Sequence, residues 1–543
     1  MSEGKAKPVL EINGLTVRLP EGADREFAIE DVTLSVSEGE IVCIVGESGS
    51  GKSVTAFTVM GLIPKKDLTP VAGEVLLQGE DLLKKTDRQM RAMRGENMAM
   101  VFQEPMTALN PVMRVGDQIA ELLEIHTNMS GTARKKRVID AMKDVSLPDP
   151  NKMYLSYPHQ LSGGQRQRIM IAMALALEPR LLIADEPTTA LDVTTQAEVL
   201  ELIKDIQRRH GMGVMFITHD FGVVADIADR VVVMQNGKIV EQGTRDEIIA
   251  APKHPYTKML IGSVPSLTPP AHSHPETDDA ALKTHGLNMV YGRHGFLQKG
   301  RLVHAAQDVE LVVRRGETLG VVGESGSGKS TVARCIVRLI DPTSGDIDIE
   351  GVNIATMPER ELRAFRQQIQ IVFQDPYRSL NPRRTVGQSI VEGPMNYGLG
   401  ADEARVRAEE LMRVVGLAPE ALDRFPHQFS GGQRQRVCIA RALAMEPKVL
   451  IADEAVSALD VSVQAQVLRL LRDVRERYDL AMLFITHDLR VAAQICDRIM
   501  VMQHGVVVEE GRTEEVYANP QHPYTQSLLA AAPGRDVDFA QLV

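Results

Sequence analysis

The sequence predicts an α/β protein built from two tandem domains of one kind, and three observations carry the prediction. The stretch Gly46, Glu47, Ser48, Gly49, Ser50, Gly51, Lys52, Ser53 recurs as Gly323, Glu324, Ser325, Gly326, Ser327, Gly328, Lys329, Ser330. Each copy follows a short aliphatic run and precedes a helix-compatible segment, the strand, loop, helix context that a phosphate-binding loop needs. Further landmarks then repeat at a constant offset of 268 residues (162 to 430, 185 to 453, 219 to 487, 254 to 522), so the duplication spans nearly the whole chain. A repeat missed at this stage would misassign the architecture.

The elements of each repeat follow in order. Ile41–Val45 and Leu319–Val322 read as buried strands, with helices expected over 54–62 and 331–339. Leu181–Ala184, Val214–Ile217, Val449–Ala452 and Met482–Ile485 are continuous apolar runs of strand length, as parallel strands covered on both faces require. Residues 262–285, rich in Pro, Ser and acids and without hydrophobic period, read as an extended linker. The expected division is therefore a first domain over 1–262, a linker over 263–284 and a second domain over 285–543. Each domain, at about 260 residues, is large for one core and is expected to have two lobes, one inserted before the Leu-Ser-Gly-Gly-Gln element.

Composition limits the function classes. The chain has 543 residues with 61 basic and 72 acidic side chains, a net charge of -11, which argues against a general nucleic-acid binder that works by phosphate neutralisation. With 44% apolar and 24% charged residues it has the make-up of a globular protein. Aromatic content is only 4%, without Trp, while Met numbers 25, so aliphatic side chains and methionine should fill the cores. Cys43, Cys335, Cys438 and Cys496 lack metal-ligand spacing and are expected to be buried thiols. The longest apolar run, Ile169–Leu177, is about half the roughly 20 residues of a spanning helix, and a cytosolic chain is expected.

The chemistry follows from residue type and spacing. GxxxxGK[ST] curls backbone N–H groups around a phosphate at a helix N-terminus, where the helix dipole favours negative charge. Lys52 and Lys329 would then reach the β- and γ-phosphates, and Ser53 and Ser330 would ligate Mg2+. After the Leu181 and Val449 runs, Asp185 and Asp453 are placed to hold the metal, and adjacent Glu186 and Glu454 to accept a proton from the attacking water. An ordinary helix N-cap is the alternative use of such an Asp-Glu pair. Ser162, Gly163, Gly164 and Gln165, repeated as Ser430, Gly431, Gly432 and Gln433, open an amphipathic helix with an anion-ready N-terminus.

With its LSGGQ signature 23 residues before each acidic pair (162 to 185, 430 to 453), the chain resembles the ATP-binding cassette (ABC) family almost end to end. The resemblance implies two tandem P-loop NTPase domains, each with a RecA-like α/β lobe and an inserted helical lobe, binding ATP and Mg2+. It implies that the two cassettes pair head to tail, with Lys52 sharing one ATP with Ser430 and Lys329 the other with Ser162. Gln103 and Gln374, in VFQEP and VFQDP, match the glutamine loop that contacts Mg2+ and water. His219 and His487, in FITHD, match the switch histidine at the γ-phosphate. Ala190-Leu191-Asp192 and Ala458-Leu459-Asp460 match the loop at the cassette interface. Tyr291 matches the aromatic that stacks on adenine. Leu19 stands in its place in the first repeat, which would hold its base more weakly or recruit Phe27. Ala455 replaces the Pro187 that follows the first glutamate, a change expected to free the loop.

Among ABC proteins, QEPMTALNP and the paired HPYT segments at 254–257 and 522–525 resemble the peptide/opine/nickel importer family. The implied function is that of an ATPase subunit docking, peripherally at the cytoplasmic face of the inner membrane, on two integral-membrane permeases served by an extracytoplasmic solute-binding protein, with no nucleic acid. A ribosome-acting double cassette is the alternative, although its long charged linker is missing here. Only 110 and 101 residues separate Lys52 from Ser162 and Lys329 from Ser430, too few for the insertions of chromosome-associated cassettes.

Overall fold

The computed structural model describes residues 7–64, 66–189, 191–270, 279–292, 294–295, 298–299, 302–457, 459–539 and 542. They form two compact units, the first comprising Met1–Val264 with Pro533–Val543 and the second Pro265–Ala532.

In the first unit a six-stranded sheet has the order Lys238–Thr244, Arg230–Gln235, Ile41–Val45, Gly213–Ile217, Leu181–Asp185, Met98–Val101. All its pairings are parallel except that of the edge hairpin Arg230–Gln235 with Lys238–Thr244. Every residue of the three strands Ile41–Val45, Leu181–Asp185 and Gly213–Ile217 is buried, which is why their sequences are apolar without alternation. The second unit repeats the sheet with the order Ile369–Val372, Val449–Asp453, Ala481–Thr486, Thr318–Val322, Arg498–Gln503, Val506–Arg512. The strands expected from sequence are all present, lengthened by at most one residue at either end.

Each unit also carries a four-stranded antiparallel sheet that the sequence reading did not anticipate. In the first it runs Phe27–Ser37, Pro8–Arg18, Thr69–Leu77, Glu80–Asp81. Its inward residues Leu10, Ile12, Leu15 and Val17 join Ile44, Met215 and Ile183 in one core that covers one face of the six-stranded sheet. The expected inserted lobe is helical: Val115–His126, Gly131–Asp144 and Pro150–Tyr154 lead into Gly163–Leu175, with Val386–Asn396 and Ala401–Val414 leading into Gly431–Leu443 in the second unit.

Three expectations need correction. The helices after the phosphate loops are Lys52–Val59 and Lys329–Ile336, beginning two residues before the expected starts, because the first helical turn lies inside the loop motif. The stretch assigned to linker ends earlier than residue 284: Ala280–Tyr291 is a strand whose alternating burial completes the second antiparallel sheet. Glu276, Asp278 and Asp279 just ahead of it mask that period in the sequence. Nor does the start of the linker run free. Arg490 Nη1 donates to Pro265 O (2.9 Å), and Gln494 Nε2 donates to Ser266 O (2.9 Å) and Thr268 O (3.1 Å). At the other end, residues 533–539 belong to the first unit, where the Gly534 N–H donates to Asp226 Oδ2 (3.0 Å). Residues 271–278 of the linker, with Ala190 and Ala458 of the interface loops, lie outside the described residues.

All four cysteines are free and buried, and burial pushes the Cys335 and Cys438 thiols up to about 11. Among the described residues no helix is long and apolar enough to cross a membrane.

Candidate functional site

The sheet order assembles the site. The phosphate loop follows Ile41–Val45, His219 follows Gly213–Ile217, Asp185 and Glu186 end Leu181–Asp185, and Gln103 follows Met98–Val101. These four strands are consecutive neighbours in the sheet, so all four groups emerge at the carboxyl ends of adjacent parallel strands. That is where open α/β sheets bind ligands.

The phosphate loop begins the Lys52–Val59 helix, with Gly51 as N-cap at φ 106°. A Cβ there would stand 2.5 Å from Ile29 Cγ2, and at the equivalent Gly328 (φ 107°) 2.1 Å from Ala305 O. Backbone angle and space both require glycine. Lys52 Nζ turns back over the loop and donates to Gly46 O (2.7 Å) and Glu47 O (2.9 Å); Lys329 does the same to Gly323 O (2.6 Å) and Glu324 O (2.7 Å).

The carboxylates meet this loop. Ser53 Oγ donates to Asp185 Oδ1 (3.1 Å), and Ser330 Oγ to Asp453 Oδ1 (2.8 Å). Burial pushes Asp185 up to about 6, with the neighbouring charge of Glu186 adding to it and the Ser53 hydrogen bond and Lys52 opposing; Asp453 is raised for the same leading reason. Glu186 receives Gln103 Nε2 (2.8 Å) and Thr189 Oγ1 (3.1 Å) on Oε2, and lies 3.2 Å from His219 Nδ1 through Oε1. Glu454 receives Gln374 Nε2 (2.8 Å) and lies 3.4 Å from His487 Nδ1. For both glutamates burial acts to raise the pKa, but the hydrogen bond and charge of the histidine, with the lysine of the loop, outweigh it and leave the carboxyl below its ordinary value. Neither Asp-Glu pair caps a helix, the use that its type alone would permit: the following helices are capped at Asp192 and Asp460.

Both glutamates adopt a left-handed backbone, φ 46° at Glu186 and 50° at Glu454, a strained choice for a residue with a side chain. Each N–H donates to the neighbouring strand, to Ile217 O and Ile485 O at 2.9 Å. Ala455 leaves this arrangement in place despite the missing ring of Pro187. Instead, the repeats differ two residues further on. Thr189 reaches the Glu186 carboxylate, whereas Ser457 Oγ donates to the Glu454 backbone carbonyl (3.1 Å). Sequence reasoning missed Thr189, for which its place three residues after Glu186 was the only signal.

The signature segments form helix starts. Ser162 and Ser430 are exposed N-caps, each in a capping box with Gln165 or Gln433. A Cβ at Gly164 or Gly432 would strike Thr195 Cγ2 (2.4 Å) or Val463 Cγ1 (2.1 Å), so packing demands the second glycine. At Gly431 a Cβ would meet nothing within 4 Å, so packing does not explain that glycine. Tyr291 is 39% exposed at a strand end, and its counterpart Leu19 is half-buried near Phe27, whose ring lies under Arg18.

A phosphate loop, a strand-terminal Asp-Glu pair, a glutamine and a histidine on four adjacent strands, twice in one chain, define an ATP-hydrolysing cassette protein. The ABC transporter profile matches residues 29–189 and 306–457, and the profile for the C-terminal region of oligopeptide/dipeptide transporters matches 240–287 and 508–540. The chain belongs to the ABC transporter family. It is 47% identical over 566 residues to the glutathione import ATP-binding protein GsiA of Salmonella typhimurium, covering 98% of this chain and 90% of that one. It is 45% identical over 536 residues to the peptidoglycan transport ATP-binding protein YejF of Agrobacterium fabrum, covering 98% of both.

Proposed function

We propose that this chain powers the import of peptides or peptide-like solutes. It would act through two integral-membrane permease subunits at the cytoplasmic face of the inner membrane, fed by an extracytoplasmic binding protein. The observation that carries the reading is the doubled match to the oligopeptide/dipeptide transporter C-terminal region, on a chain that is near full-length similar to import ATP-binding proteins. Nothing among these matches favours a ribosome-acting role.

In this reading Lys52 and the loop amides bind one ATP and Lys329 with its loop the other, each completed by the signature serine of the other repeat, Ser430 or Ser162. Ser53 with Asp185, and Ser330 with Asp453, supply the hard oxygen donors that Mg2+ takes, and Gln103 and Gln374 add an amide oxygen. Bound there, Mg2+ would neutralise charge on the phosphate oxygens. Glu186 and Glu454, held below the ordinary carboxylate pKa, are ionised at neutral pH and orient and deprotonate the attacking water. His219 and His487 fix these carboxylates on one side and face the γ-phosphate on the other. Tyr291 stacks on one adenine.

The test is the double substitution Glu186→Gln and Glu454→Gln in the full chain. ATP binding should persist while steady-state hydrolysis and solute uptake are abolished. Undiminished hydrolysis would refute the assignment of the bases, and co-purification with ribosomes instead of permeases would refute the transport role.

A further inference from the structure

The HPYT segments lie about 200 residues from the phosphate loops, yet each places a tyrosine hydroxyl on one. Tyr256 Oη accepts the Glu47 N–H (3.1 Å) and donates to Glu47 Oε2 (3.3 Å). Tyr524 Oη accepts the Glu324 N–H (3.1 Å) in the same way. Both rings are buried, at 6% and 8% exposure, and the geometry that holds them is duplicated too. His254 Nδ1 accepts the Tyr256 N–H and His522 Nδ1 the Tyr524 N–H, each at 3.2 Å, capping the short helices that begin at Pro255 and Pro523. Behind them, Glu241 accepts the N–H groups of Lys253 (2.7 Å) and His254 (3.0 Å), and Glu509 those of Gln521 (2.7 Å) and His522 (3.0 Å). A continuous set of hydrogen bonds thus runs from the last strand of each six-stranded sheet, through the HPYT turn, to the second residue of the phosphate loop.

The residue so held is gripped from both sides, since Lys52 Nζ donates to the Glu47 carbonyl and Lys329 Nζ to that of Glu324. The lysine ammonium has three N–H donors to divide between these carbonyls and, in the reading above, the phosphates. The tyrosine hydroxyl holds a different group, the N–H of Glu47 or Glu324. We propose that Tyr256 and Tyr524 are positioning residues for ATP binding: they hold the start of the phosphate loop in the shape on which the lysine and the loop amides bind phosphate. In this role the C-terminal region of each repeat is part of the nucleotide site. The proposal rests on the phosphate-loop assignment made above.

The experiment uses the full chain with Tyr256→Phe, Tyr524→Phe and both together, which remove the hydroxyls and keep the packed rings. MgATP affinity and steady-state KM should weaken by about 3- to 10-fold, the worth of one hydrogen bond, while kcat stays within about 2-fold. Amide exchange at Glu47 and Glu324 should accelerate without change in the Ile41–Val45 and Thr318–Val322 strands. Unchanged affinity, or exchange that rises throughout the unit together with a fall in Tm, would overturn the proposal, since the tyrosine would then serve packing alone. Lys52→Ala with Lys329→Ala separates the two readings. If that variant binds MgATP like the parent, the phosphate-loop assignment itself fails; if it loses binding while the Phe variants keep it, only the tyrosine role falls.

Discussion

Replacing Asp185 by Asn should stabilise the nucleotide-free chain at neutral pH, although the position belongs to the site. Asp185 is 4% exposed, and burial raises its pKa from 3.8 to about 6 against the opposing Ser53 hydrogen bond. A shift of about 2 units corresponds to about 3 kcal/mol that folding loses by carrying this carboxylate ionised. The sign follows from linkage: the folded pKa lies above the unfolded one, so the penalty is complete above pH 6 and is relieved as pH falls toward 4. Asn has the same shape, still accepts from Ser53 and carries no charge. At about 2–4 °C per kcal/mol, the transition of the first unit should rise by roughly 6–12 °C at pH 7.5, and the gain should fall to about half near pH 5. Scanning calorimetry of parent and variant at the two pH values reads this directly. Saturating MgATP should reverse the order, because binding stabilises only the form that retains the carboxylate for the metal. A variant less stable than the parent at pH 7.5 without nucleotide, or a gain equal at both pH values, would refute the argument from burial.

Two further outcomes follow from the geometry. Gly328→Ala should cost about 2 kcal/mol or more and weaken ATP binding, since its Cβ meets the backbone oxygen of Ala305 at 2.1 Å in a left-handed conformation; calorimetry and nucleotide titration check both effects. Asp497→Asn should destabilise the second unit by about 3–5 kcal/mol, because buried Asp497 Oδ2 accepts from Arg475 Nη1 and the Thr318 N–H at 2.7 Å each and the arginine would keep only the distant, exposed Glu476 carboxylate (3.9 Å). The equivalent Asp229→Asn should cost only about 1 kcal/mol, since Gln207 takes the place of Arg475 and the Ile41 N–H bond (2.8 Å) is a single neutral donor's. Equal losses at the two positions, read by urea unfolding, would refute the distinction.

Residues close in sequence settled most of what each element is. The phosphate loops, the strands ahead of them, the Asp-Glu pairs and the signature helix starts were legible, because each depends on a local backbone path, a run of burial or a cap within a few residues. The acidic patch ahead of Ala280 shows where such local reading breaks down, since composition there masked a strand whose period was present a few residues on.

By itself, then, the sequence determined that one nucleotide-binding unit is written twice and which side chains are the candidates for its chemistry. The tertiary structure decided which of them meet. Strands buried on both faces are alike in sequence, and nothing in Ile41–Val45, Leu181–Asp185 or Gly213–Ile217 states which is neighbour to which. Only non-local pairing puts His219 between the phosphate loop and Glu186, with Gln103 beyond, and only the folded return of the chain sets Tyr256 on Glu47. Those contacts span tens to hundreds of residues, a distance at which hydrogen bonding and packing leave no local trace.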